Sequence, residues 1–156
     1  GGLVIDAVRA TISVPGVFMP VDLGDYRLVD GGVLDNLPVD VARGMGATRT
    51  IAVDVLPSFS QNTPGMSPVE MGLQLPFAPL YLNETYHVLM IMIAAQTESR
   101  LRQFPPDLLI RPALPPNVTL LSGFNRAEEI VDAGDAAAES VLPAIRALLA
   151  PEPEED

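Results

Sequence analysis

The chain has 156 residues, of which 48% are hydrophobic, so it has the size of one domain and enough apolar residues to build a core. Its 20 acidic residues outnumber nine basic ones, all arginine, and the net charge of −11 argues against nucleic acid as a partner. No cysteine and a single histidine exclude disulfides, a thiol nucleophile and a multi-histidine metal site within this chain, and we expect no cofactor.

The chain opens with a predicted helix and a predicted strand pair. The pattern LVIDAVRA at 3–10 places apolar residues near one helical face. The apolar run VFMPV at 17–21 predicts a strand, and the returning strand at 26–29 ends at Asp30. A turn at 22–25 joins the two strands.

A helix and a buried strand are predicted next. Pro38 suits the first turn of a helix, with Asn36 or Leu37 near its cap. The run TIAVDV at 50–55 is typical of a strand that is buried on both faces of a parallel sheet. The strand at 26–29, this helix and the strand at 50–55 therefore predict a βαβ unit and an α/β layered fold.

Residues 56–79 interrupt this pattern with five prolines and scattered apolar side chains. Both a lid or lipid-contacting surface and an ordinary surface loop are open interpretations. A helix is predicted from Leu80 to Gln103, and its eight-residue apolar run at 88–95 is shorter than the roughly 18 residues of a membrane span. His87 precedes this run and is interpreted as a packing or surface residue. A buried strand is predicted at 107–111.

The last predicted element is a helix that begins at FNRAEEIVDAG. Asn125 would cap it, and Glu128 stands in the capping-box position. We expect a bend or a division near Pro143, since proline disrupts helix interiors. Residues 1–150 are predicted to be one domain, followed by an acidic tail at 151–156.

The segment LVDGGVLDNLP contains the candidate catalytic residue, Asp30. It stands at the end of a strand and is followed by two glycines, so no neighbouring side chain obstructs its carboxylate. An ordinary turn role is the alternative. None of the seven serines has the G-x-S-x-G context of a nucleophile elbow, and Ser67, with Gly65 before it, has Val69 where the second glycine belongs.

Residues 7–55 as a whole resemble the patatin-like phospholipase family. The specific pieces are SVPGVFMPV, the Asp30-Gly31-Gly32 motif and the N-x-P element at Asn36 and Pro38. The later segments DLLIRP and GFNRAEEIVDAG are similar to the tails of bacterial members. The resemblance implies a three-layer α/β/α hydrolase fold, of which this chain would be an incomplete, C-terminal part.

The resemblance also implies a Ser/Asp dyad. In that family the aspartate of the DG[GA] motif is the acid/base, and it falls on Asp30, with Gly31, Gly32 and Asn36 as the supporting loop. The family's Gly-rich oxyanion loop and serine elbow come earlier, and neither is in this chain. We therefore expect part of a serine acyl hydrolase for lipid or other carboxylic esters, inactive alone, whose nucleophile comes from an upstream segment.

A different class of function stays open, namely a noncatalytic fragment that serves as a binding or self-association module. A sheet without its N-terminal strands would expose an edge and apolar faces, which a partner or a second copy could cover. We expect membrane contact, if any, to be apolar, and the location to be cytoplasmic or peripheral to a membrane. Asp54, at the end of the strand at 50–55, suits loop capping at least as well as a site.

Overall fold

The computed structural model describes residues 3–56, 80–115, 118 and 124–150. Its contacts divide these residues into two compact units. The first unit holds the residues up to Leu37 and those from 80 to Arg100; the second holds 38–56 and the residues from Leu101 onward. The elements in chain order are α1 (Val4–Thr11), β1 (Val21–Leu23), β2 (Tyr26–Leu28), α2 (Gly32–Asp35), α3 (Val39–Gly44), β3 (Ile51–Val53), α4 (Leu80–Gln103), β4 (Leu108–Ile110) and α5 (Ala127–Leu149).

The first unit contains the antiparallel hairpin of β1 and β2, in which Val21 pairs with Leu28. A two-residue turn joins the strands, and Gly24 in it has φ +60°, a conformation that favours glycine. The predicted strand at 17–21 is wrong, because the chain forms a turn there: the N–H groups of residues 17 and 18 both donate to the carbonyl of Val14. Pro20, which has no N–H for a strand ladder, precedes β1.

Two short helices follow the hairpin, and only the second was predicted. Helix α2 begins at Gly32, directly after the Asp30-Gly31 pair, and spans four residues. Helix α3 lies in the predicted place but begins at Val39, so Pro38 is its N-cap, and the predicted cap at Asn36 or Leu37 is wrong by one or two residues. The helix ends at Gly44, and Gly46, which follows the C-cap Met45, has a φ of +98°, a conformation that glycine adopts readily after a helix.

The second unit contains the parallel pair β3 and β4, in which Ile51 lies opposite Leu108. The predicted βαβ unit is therefore wrong in its pairing, since β2 pairs antiparallel with β1 and β3 pairs with β4. The predicted burial of β3 on both faces is also wrong. Ala52 is buried, whereas Ile51 and Val53 are 42% and 48% exposed.

An aspartate holds each end of this strand pair. At the amino ends, Asp107 accepts hydrogen bonds from the N–H of Thr50 at 2.7 Å and from its hydroxyl at 2.8 Å. At the carboxyl ends, Asp54 accepts a hydrogen bond from Nε of Arg111 at 3.0 Å. Two strands of three residues each are thus held together by side chains beyond the ladder itself.

The two long helices occupy the predicted regions. Helix α4 has the predicted bounds, and its buried residues Ile93, Ala94 and Thr97 recur at helical spacing. Helix α5 is undivided at Pro143. The predicted capping box is wrong. A 3₁₀ helix at Phe124–Arg126 precedes α5, and no side chain caps α5. Arg126 forms an ion pair with Glu129 rather than with Glu128.

The mixture of helices with two small sheets fits a partial α/β fold, as predicted. Most of the predicted loop, at 57–79, and the acidic tail at 151–156 lie outside the described residues. Within the described ranges, no helix combines the length and the apolar character that crossing a membrane requires.

Candidate active site

Asp30 is fixed by its backbone to the end of helix α1. Its N–H donates a hydrogen bond to the carbonyl oxygen of Ser13 at 3.0 Å. Ser13 is itself buried, and its hydroxyl donates to the carbonyl of Arg9 at 2.7 Å. The position of Asp30 therefore depends on α1 as well as on the hairpin that leads into it.

The carboxylate of Asp30 is held by one oxygen. Oδ1 accepts a hydrogen bond from the N–H of Gly32 at 2.8 Å, and the side chain is half-buried. Within the described part of the chain, no hydrogen bond reaches Oδ2. This arrangement orients the group while leaving one oxygen able to accept a proton, which is what a general base requires.

The two glycines of the motif differ in the space around them. A Cβ at Gly32 would lie 3.1 Å from Oδ1 of Asp30 and 3.2 Å from Oδ1 of Asn36, closer than carbon atoms normally approach these groups. A Cβ at Gly31 would meet nothing within 4 Å. Gly32 therefore permits a close approach of the carboxylate, and Gly31 leaves its surroundings open.

Asn36 lies beside the motif. Its side-chain oxygen faces Gly32, close to the carboxylate of Asp30. The structure therefore brings Asp30, Gly32 and Asn36 together.

Helix α4 contacts α2 through two side chains that the sequence analysis did not single out. Nη2 of Arg100 lies 2.8 Å from Oδ2 of Asp35. One helical turn earlier, Nε2 of Gln96 donates a hydrogen bond to the carbonyl of Leu34. Asp35 and Arg100 are 65 positions apart, so no local pattern connects them, and their opposite charges are the only signal in the sequence.

The other candidate site residues either have a structural role or lie outside the described residues. Asp54 is 4% exposed, accepts a hydrogen bond from the N–H of Leu56 at 3.1 Å and pairs with Arg111, so it caps the loop after β3. Ser67 and the side chain of His87 lie outside the described residues. Within the ranges described, no cluster of three His, Cys, Asp or Glu residues could hold a metal ion.

Comparison with known proteins points to one family. The model of the family described as patatin-like phospholipase matches residues 1–43, which include Asp30, both motif glycines and Asn36. The match thus covers α1, the hairpin, α2 and most of α3.

Individual relatives agree with this match. An uncharacterised NTE family protein of Mycobacterium tuberculosis is 47% identical over 58 residues, or 37% of this chain. The lysophospholipase nte1 of Aspergillus niger is 32% identical over 150 residues, or 89% of this chain, and that of Aspergillus fumigatus is 31% identical over 156 residues, or 93%. The chain spans 10% of the length of each of these relatives. The family match over residues 1–43 and these relatives support a place for the chain in the patatin-like phospholipase family.

Proposed function

We propose that this chain is part of a lipid ester hydrolase in which Asp30 is the acid/base partner of a serine nucleophile. The observation that carries the proposal is the carboxylate of Asp30 at the end of the hairpin. It is anchored through Oδ1 to the N–H of Gly32 at 2.8 Å, and Oδ2 is left for proton transfer. The match to the patatin-like family supports the same reaction class.

The proton transfers of the proposed reaction involve the carboxylate of Asp30, a serine hydroxyl and one water molecule. As the serine oxygen attacks the ester carbonyl, Asp30 takes the hydroxyl proton. The bond to the leaving alcohol breaks, and Asp30 returns the proton to the departing oxygen. A water molecule then attacks the acyl-serine, and Asp30 takes a proton from this water. Asp30 passes that proton to the serine oxygen as the bond to the acyl group breaks and the fatty acid is released.

The nucleophile in this proposal belongs to a segment upstream of the chain. The surface of α1 and of its two flanking residues supports such an arrangement, because the large apolar side chains there are unusually exposed to solvent. These residues are Leu3, Val4, Ile5, Val8 and Ile12. An upstream segment that covers them would also approach Asp30, since the end of α1 is bonded to it through Ser13.

The proposed substrate is a lipid or another carboxylic ester. The fungal relatives are called lysophospholipases, which favours a lipid with a single acyl chain. With a net charge of −11, binding to a lipid surface would rest on apolar contact rather than on attraction to anionic headgroups. A cytoplasmic or peripheral-membrane location suits this mode of binding.

The test is hydrolysis of lysophosphatidylcholine by the protein encoded in the longest reading frame that contains the chain. We expect Asp30→Asn to lower kcat by roughly 10² to 10⁴, the usual contribution of a general base. Asp25→Asn is the matched control, because Asp25 is exposed in the turn of the hairpin just before β2. Activity of Asp30→Asn equal to that of the control would refute the role of Asp30.

The exposed apolar residues of α1 also favour a second candidate function, a noncatalytic module that binds a partner or a second copy of itself. Sedimentation of the 156-residue chain distinguishes the two. A stable dimer from a reading frame without an upstream serine elbow would support the module. An upstream segment in register that carries G-x-G-x-[KR]-G and G-x-S-x-G would support the hydrolase.

A further inference from the structure

The ion pair between Asp35 and Arg100 is a partly buried contact at the end of α2. The two side chains are 18% and 29% exposed, and Nη2 lies 2.8 Å from Oδ2. The other carboxylate oxygen of Asp35, Oδ1, is buried and accepts no hydrogen bond in the described part of the chain. The guanidinium is therefore the ionic contact that stabilises this carboxylate, and its removal would leave an unsatisfied, partly buried charge.

Hydrogen bonds within α2 connect this ion pair to the carboxylate of Asp30. The N–H groups of Asp35 and Leu34 both donate to the carbonyl of Gly31, at 2.9 Å and 3.0 Å. The next residue, Gly32, donates its N–H to Oδ1 of Asp30 at 2.8 Å. A movement of the end of α2 would thus be transmitted to the single hydrogen bond that orients the carboxylate.

Helix α2 cannot hold this geometry alone. It has four residues and no side-chain cap, and isolated helices much longer than this are marginal in water. Helix α4 provides the support, because Gln96 and Arg100 lie one turn apart on it and contact consecutive residues of α2, Leu34 and Asp35. With 24 residues and a stripe of buried side chains, α4 has packing that α2, which buries no residue, lacks.

We propose that Arg100 is a positioning residue for the acid/base aspartate: through Asp35 it fixes α2, and through α2 it fixes the N–H of Gly32 that orients Asp30. This inference rests on the proposed function, which gives Asp30 its role. Displacements of about 1 Å at reacting groups lower rates by factors near 100, so a partly loosened α2 has a measurable effect.

The experiment compares substitutions at Arg100 in the protein encoded in the longest reading frame that contains the chain, with lysophosphatidylcholine as substrate. We expect Arg100→Gln to lower kcat about 10-fold with KM unchanged, because the base is displaced while the lipid still binds. Arg100→Lys, which keeps the charge and one donor, should recover most of the loss. The matched control is Arg102→Gln, an exposed arginine two residues along α4, which should keep the wild-type kcat.

A double-mutant cycle and active-site labelling separate positioning from a general loss of folding. If Arg100 acts through Asp35, the Arg100→Gln and Asp35→Asn pair loses little more than either single variant. A fluorophosphonate probe should label the same fraction of Arg100→Gln as of the wild type, but more slowly. Three results would overturn the proposal. The first is a loss of kcat in Arg100→Gln that is fully explained by a smaller fraction of labelled protein. The others are losses of kcat that add in the double variant and a kcat in Arg100→Lys that is no higher than in Arg100→Gln.

Failure of this inference and failure of the proposed function give different results. If Asp30→Asn retains activity, the role of Asp30 fails, whatever Arg100→Gln does. If Asp30→Asn is inactive while Arg100→Gln has the wild-type kcat, Asp30 is the acid/base and Arg100 does not position it.

Discussion

The backbone N–H of Gly32 donates a hydrogen bond to Oδ1 of Asp30 at 2.8 Å, and this bond determines where the carboxylate points. It is possible because position 32 carries no side chain: a Cβ there would lie 3.1 Å from the same oxygen. Gly32 thus donates the hydrogen bond and, because it has no side chain, leaves room for the carboxylate. The orientation of the proposed base therefore depends on a backbone position that a point substitution can test.

Substitution of Gly32 by valine should displace the carboxylate of Asp30. The Cβ alone must move its neighbours by a few tenths of an ångström, and the two methyl groups need more room than remains beside Asn36. We expect kcat for lysophosphatidylcholine to fall by at least about 10-fold, since small misplacements of a catalytic group are costly. Gly31→Val is the matched control, because a Cβ at Gly31 meets nothing within 4 Å. Equal losses in the two variants would contradict this account.

The buried carboxylate of Asp54 should contribute more to stability than an exposed one. Asp54 accepts hydrogen bonds from the N–H of Leu56 and from Arg111, so Asp54→Asn should lower the free energy of unfolding by about 1 to 3 kcal/mol. Asp22→Asn removes an exposed partner of Arg27, which solvent screens, and should therefore cost less than Asp54→Asn. Urea denaturation of the 156-residue chain measures both. A smaller loss for Asp54→Asn than for Asp22→Asn would show that the contacts of Asp54 do not stabilise the fold.

Asp107 should make stability depend on acid pH. Hydrogen bonds from the hydroxyl and the N–H of Thr50, helped by Arg43, lower the pKa of Asp107 below its ordinary value of 3.8. A lowered pKa in the folded state stabilises the protein above the ordinary pKa, and this contribution is lost as the pH falls through the folded value. Asp107→Asn should therefore be less stable than the wild type at pH 7, with a difference that shrinks below about pH 4.

Urea midpoints at pH 7 and pH 3 test this prediction. Glu129→Gln is the control, because Arg126 also lowers the pKa of Glu129 but the pair is on the surface and screened by solvent. A constant difference between Asp107→Asn and the wild type at the two pH values would contradict the prediction.

The apolar surface of α1 should tolerate charge in the 156-residue chain but not in the longer protein. Ile5 and Val8 are more than half exposed, so the double variant Ile5→Glu, Val8→Glu should change the free energy of unfolding of the chain by less than about 0.5 kcal/mol. In the longer protein, where the proposed upstream segment covers these residues, the same charges would be buried without partners and should reduce the yield of folded protein. Unchanged yield of the longer protein would show that nothing covers this surface.

Some elements could be predicted from the sequence because their signals are local. The long helix from Leu80 to Gln103 has the predicted bounds, and β3 and β4 lie within the predicted strands. The motif from Asp30 to Asn36 can be recognised from its residue types and their order alone. These features depend on neighbours in the chain, which a single sequence displays.

The remainder depends on contacts that the sequence does not display. The pairing of β3 with β4 joins residues 57 positions apart, so the order of the predicted strands suggested the wrong partner. Helix α2 is too short to show a period, and its support by Arg100 comes from a distant helix. The exposure of Ile51 and Val53 likewise follows from what covers the sheet, which composition cannot indicate.

Whether Asp30 serves an upstream serine can be tested by labelling with a fluorophosphonate probe, followed by peptide mass spectrometry, on the protein encoded in the longest reading frame that contains the chain. We expect the probe on a serine upstream of residue 1, and we expect this label to be lost in Asp30→Asn and kept in Asp25→Asn. A labelled serine whose modification is unaffected by Asp30→Asn, or no labelled serine in a well-folded protein, would contradict this expectation.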